Sequence, residues 1–143
     1  MAAKIDELLK KLNKKAKAED SLITNLINKM DFNIDPDYLD FLKSYDGAEG
    51  FVGEDSYILF WSVQEIINLN PYYEEDVDDG YSKGFFFFGS NGSDTGYGIR
   101  KSDGAFIEVP FIDMSEEDTT ELGKNFAEFL EYLATGNLKE DIG

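Results

Sequence analysis

Apolar residues recur at helical spacing near both ends of this chain and at strand spacing through its middle. Ile5, Leu8, Leu9 and Leu12 fall at i, i+3, i+4 and i+7, so the spacing predicts an amphipathic helix over about residues 3–17 with lysine on its other faces. A second helix is expected from Asp20 or Ser21, carrying Leu22, Ile23, Leu26, Ile27 and Met30 on one side. The third is punctuated at both ends. Asp35 can cap it, Pro36 takes the first helical position, Tyr38, Phe41, Leu42 and Tyr45 form its stripe, and Gly47 supplies a left-handed stop.

The period changes after Gly50. Residues 51–52 and 57–61 read as strands joined across 53–56, and Ser62 with Glu65 forms a capping box for a short helix that Pro71 is expected to end. Residues 72–84 then read as a solvated acidic loop. Four consecutive phenylalanines at 85–88 are too few for a helix and apolar on both alternating faces, which fits a central strand covered on each side. Residues 89–96 read as a turn-rich loop, and 97–101 with 105–109 as a hairpin around Ser102, Asp103 and Gly104. Phe126, Phe129, Leu130 and Leu133 mark a last helix stopping at Gly136. These 143 residues suit a single domain.

Charge narrows the partners. The chain carries 13 basic and 30 acidic residues, a net −17, so it should repel nucleic acid and anionic membranes and attract basic proteins or cations. The balance is uneven: the first 17 residues hold six lysines against two acids, and the remainder seven basic against 28 acidic residues. The lysine-rich helix is therefore expected to dock on its own acidic domain rather than on a membrane. Cys and His are both absent, which excludes disulfides, thiol nucleophiles, Ser-His-Asp and Cys-His pairs and the common zinc sites. No stretch resembles a signal peptide or a membrane span, so a cytoplasmic location is expected.

The ordered motifs resemble the SUKH superfamily, in particular its Smi/Knr type. They are Asp35-Pro36-Asp37-Tyr38-Leu39-Asp40-Phe41-Leu42 with Tyr45-Asp46-Gly47, then Leu59-Phe60-Trp61-Ser62-Val63-Gln64-Glu65-Ile66 with Asn70, Phe88-Gly89-Ser90-Asn91-Gly92, and Phe126-Ala127-Glu128-Phe129-Leu130, spread over roughly residues 22 to 134. The resemblance implies an α+β fold with a mainly antiparallel central sheet and flanking helices, used as a binding scaffold rather than a catalyst. Bacterial members look like immunity proteins that neutralise a toxin, and fungal members act in cell-wall regulation.

The acidic residues Glu74, Glu75, Asp76, Asp78 and Asp79 are the first candidates for contact with such a partner, because clustered carboxylates steer a cationic surface and accept bidentate arginine. Tyr72, Tyr73 and Tyr97 are candidate aromatic anchors, and Asp94 a further acidic contact. Trp61, at the end of an apolar strand, reads as core. Calcium is a poor fit: Glu74, Asp76 and Asp78 keep alternate spacing, but Asp79 stands where the calcium loop needs Gly. The glycines of 89–96 lack the lysine of a phosphate-binding loop, and Asn91-Gly92-Ser93 reads as a turn rather than a glycosylation site. No metal, cofactor or catalytic residue is expected. The sequence thus points to a non-enzymatic immunity protein occluding a basic toxin domain, with a nuclease favoured, or to a regulatory or scaffold protein of the same fold without a toxin partner.

Overall fold

Among the described residues, seven strands follow one another across one antiparallel sheet in chain order, so every neighbour in the sheet is also a neighbour in sequence. The computed structural model describes residues 2–54, 56–76, 84–112 and 118–135, with the backbone alone at 2–4 and 72–76. The order is α1 (Ala2–Leu9), β1 (Asn13–Lys14), α2 (Asp20–Lys29), α3 (Pro36–Ser44), β2 (Ala48–Val52), β3 (Ser56–Phe60), α4 (Val63–Asp76), β4 (Phe85–Ser90), β5 (Thr95–Arg100), β6 (Phe106–Pro110), β7 (Thr120–Gly123) and α5 (Phe126–Thr135). The α+β architecture expected from the sequence is the one observed.

β4 is the middle strand, and all six of its residues are buried. Phe86 and Phe88 point toward α3 and α5, where Tyr38 lies 5.0 Å from Phe88 and Phe129 lies 5.5 Å from it between ring centroids. Phe60, Phe106 and Phe126 complete this aromatic layer. Aromatic rings meeting edge-on or tilted add to the area they bury, so this layer is a large part of what holds the helices down. On the other face, Gly98 makes room for the Phe87 ring and Gly96 for the Phe111 ring. A Cβ at either position would come within 2.9 Å or 2.6 Å of those rings.

The starts of α3 and α4 are capped as the sequence implies. The Asp35 carboxylate accepts from Tyr38 N at 3.2 Å at the start of α3. Ser62 Oγ accepts from Glu65 N while Glu65 Oε1 accepts from Ser62 N, closing the capping box of α4.

Four expectations are corrected. The helix expected over 3–17 stops at Leu9: Leu12 N donates to the Leu9 carbonyl at 3.0 Å, and Lys14 Nζ reaches the same oxygen at 3.1 Å. Asn13 and Lys14 instead satisfy their backbone on the edge of β2, while Leu12 stays buried in the core. Pro71 does not end α4, which continues to Asp76. An interior proline gives up its N–H bond and its ring crowds the carbonyl four residues back, but the turn before it is anchored through Asn70 to Ile66 and Phe87. Residues 89–90 belong to β4 and 95–96 to β5, leaving a loop of 91–94. β7, which the sequence did not announce, adds an edge that Arg100 ties down, donating to Asp103 on its own hairpin and to Glu121 at 2.7 Å.

Candidate partner-binding surface

The acidic candidates divide between two regions. Residues 72–76, carrying Tyr72, Tyr73, Glu74, Glu75 and Asp76, are the last helical residues of α4 rather than loop. Asp78 and Asp79 lie outside the described residues.

Asp94 is exposed on the 91–94 loop, whose shape is set by its own side chains. Asn91 Oδ1 accepts from Ser93 N at 2.9 Å and from Thr95 N at 3.1 Å, Ser90 Oγ accepts from Gly92 N at 3.0 Å, and the Asp94 carbonyl accepts from Phe111 N at 2.9 Å. Short polar side chains bonding backbone two residues on are what make such a turn hold one form. The turn reading of Asn91-Gly92-Ser93 is the one the geometry supports.

Tyr97 is a correction. It is only 5% exposed and packs edge-on against Phe129 at 5.3 Å, so it belongs to the core and cannot anchor a partner. Burial, with the charge of Glu108 adding, pushes its phenol up to about 12. The signal was present in Gly96-Tyr97-Gly98-Ile99: side chains alternate along a strand, and the two glycines mark the opposite face. Trp61 is buried, as its strand-end position implied.

The sequence reading passed over the outer face of β2 and β3. Ala48, Val52, Ile58 and Phe60 are buried on the inner face, while Glu49, Phe51, Tyr57 and Leu59 stand on the other. Phe51 and Tyr57 are direct partners in the register, their rings 5.4 Å apart and nearly perpendicular. The Tyr57 hydroxyl donates to Glu49 Oε2, and that bond raises the phenol above its ordinary value. Phe51 is 45% exposed, unusual for so large an apolar side chain on a strand. Alternation over 48–52 and 56–60 would have separated these faces, but Gly50 and Gly53 interrupt the pattern.

Among the described residues no group of three or more carboxylates is arranged to hold a metal ion, and no helix is long and apolar enough to cross a membrane. A comparison with curated proteins returns no match. The sequence model of the SMI1 / KNR4 family (SUKH-1) matches residues 17–132, which takes in every strand from β2 to β7 and the first seven of the ten residues of α5. The chain belongs to the SMI1 / KNR4 family.

Proposed function

We propose that the protein is a non-enzymatic immunity protein that binds a basic toxin domain and occludes its active or substrate-binding surface, with a nuclease the favoured toxin. The family comprises immunity proteins and regulators, and the observation that carries the choice is the net charge of −17 on such a scaffold. Domains that process nucleic acid present lysine and arginine to phosphate, and an acidic protein can occupy that surface in place of the substrate. Glu74, Glu75, Asp76, Asp78, Asp79 and Asp94 supply the attraction, with Tyr72 and Tyr73 as anchors. With neither His nor Cys in the chain, masking by affinity is the economical mode of protection.

The test is a titration of the purified protein against the toxin domain encoded beside its gene. Inhibition should be complete near equal amounts, with the recovered toxin unchanged in mass. Time-dependent inactivation at substoichiometric amounts, or a covalent change, would make this protein an enzyme. Absence of an adjacent toxin gene, with no toxin inhibited, would favour the regulatory reading.

A further inference from the structure

The outer face of β2 and β3 combines three features seldom left together on a protein surface. One ring of an aromatic pair is open to solvent, the other is tethered, and carboxylates stand on the flanking turns. Phe51 supplies the open ring. Tyr57 is tethered at its tip, where its hydroxyl donates to Glu49. A ring already held in its bound position loses little freedom when a partner closes over it. Glu49 has no cationic partner among the described residues, and Glu54 and Asp94 are exposed on the two turns that flank the pair. Of the lysines on this side, Lys11 has its Nζ already engaged with the Gly53 carbonyl at 3.0 Å.

We infer that Phe51, Tyr57 and Glu49 form the seat for an arginine side chain of a basic partner protein. The inference rests on the basic-partner reading above and deepens it by naming where the partner docks. An aromatic face attracts a cation through its quadrupole, and a carboxylate beside the ring gives the same cation a hydrogen-bond acceptor. Arginine fits better than lysine because its planar guanidinium stacks on the ring while its edge donates to the carboxylate.

The chain uses a related arrangement internally. Lys101 Nζ sits over the Phe32 ring at 5.9 Å and is paired with Asp31 at 3.2 Å. Glu49 and the Phe51–Tyr57 pair present the same aromatic and carboxylate chemistry to the outside without the cation. Docking on this face also buries the exposed Phe51 ring, which concentrates binding energy where hot spots lie, at an aromatic centre inside a polar rim.

The experiment follows ring and backbone resonances of the full-length protein as an oligoarginine peptide, and separately an oligolysine peptide of equal length, is added. The expected result is saturable shifts at Phe51, Tyr57 and Glu49, tighter for arginine. Phe51→Leu, which keeps apolar bulk and removes the ring, should weaken oligoarginine binding about tenfold with an unchanged melt. Tyr57→Phe, which keeps the ring and frees Glu49, should weaken it less. Shifts confined to other carboxylates would overturn the seat while leaving the basic-partner reading intact. Equal response to the two peptides would overturn the choice of arginine, and no shifts anywhere would overturn both readings. Self-association that consumes the Phe51 signals in the absence of peptide would assign the face to a second copy of the chain instead.

Discussion

The side chain of Asn70 pairs with the backbone of Phe87 as a neighbouring strand would. Its Nδ2 donates to the Phe87 carbonyl at 2.8 Å, and Phe87 N donates to its Oδ1 at 2.8 Å. β3 pairs with β4 through Leu59 and Phe60, opposite Ser90 and Gly89, and Trp61 N just beyond it donates to the Phe88 carbonyl at 2.9 Å, so the central strand runs past the end of its neighbour. An amide on α4 completes the ladder there. Asn70→Ala removes both bonds, and each buried backbone group left without its partner costs roughly 1–3 kcal/mol, so a loss of about 2–6 kcal/mol is expected. Urea denaturation together with amide exchange at Phe87 measures it. A midpoint unchanged from the parent protein would mean that the pairing contributes nothing.

Asp35 joins two helices that are far apart in sequence. Its Oδ2 accepts from Tyr38 N at 3.2 Å and, more weakly, from Phe126 N at 3.4 Å. Loss of a helix cap costs about 0.5–2 kcal/mol, so Asp35→Ala should fall at or above the upper end of that range, and Asp35→Asn, which keeps an acceptor, should lose less. Equal loss in the two variants would show that the charge, not the acceptor, matters.

The two caps at Asp35 and Ser62 and the buried strand at 85–88 were readable in the sequence because each is decided within a few residues. The elements that were missed are those whose reason lies elsewhere in the chain. Asn13 and Lys14 become a strand only because the edge of β2 is free to receive them. β7 is held by Arg100, and α4 passes Pro71 while the Asn70 beside it is fastened to β4. The surface was less legible than the core. Phe51 and Tyr57 are separated by a turn and meet only through the register, while Tyr97, nominated for the surface, is turned inward by the same alternation.

Gly53 and Gly104 both have positive φ, +77° and +79°, but differ in surroundings. A Cβ at Gly53 would lie 2.5 Å from the Ala134 carbonyl oxygen, whereas nothing lies within 4 Å of one at Gly104. Both alanine variants carry the strain of the left-handed backbone, of order 1–3 kcal/mol, and only Gly53→Ala must also displace the end of α5. Thermal melts should therefore rank Gly53→Ala clearly below Gly104→Ala. Equal melting temperatures would mean that the turn and α5 separate at little cost.

Alkaline stability should be limited by buried phenols. Burial pushes Tyr97 up to about 12 and raises Tyr38 further, because the aromatic layer cannot solvate a phenolate. Raised values mean that the folded protein keeps protons the unfolded chain releases. Their contribution is therefore complete below the ordinary tyrosine value near 10 and is lost as pH rises through the folded values. The melting temperature should fall steeply between about pH 10 and 12, and Tyr97→Phe should make that fall shallower. A slope identical in the variant would place the titrating group elsewhere.

The last prediction concerns how the partner arrives rather than how it is held. Glu74, Glu75, Asp76, Asp78 and Asp79 place five carboxylates within six positions, and such a concentration acts mainly on the approach of a cationic protein. Reversing all five to lysine should slow association with the toxin domain by about 10–10³-fold and flatten its dependence on salt. Dissociation should change less, because a seat at Phe51 and Tyr57 would remain intact. Folding should stay cooperative: like charges this close already repel one another, and reversal exchanges one repulsion for another. Stopped-flow association at several salt concentrations, with a melt of the same sample, separates these effects. An association rate that is unchanged at low salt would reject residues 74–79 as the steering element, and a dissociation rate raised as much as association is slowed would make them part of the bound contact.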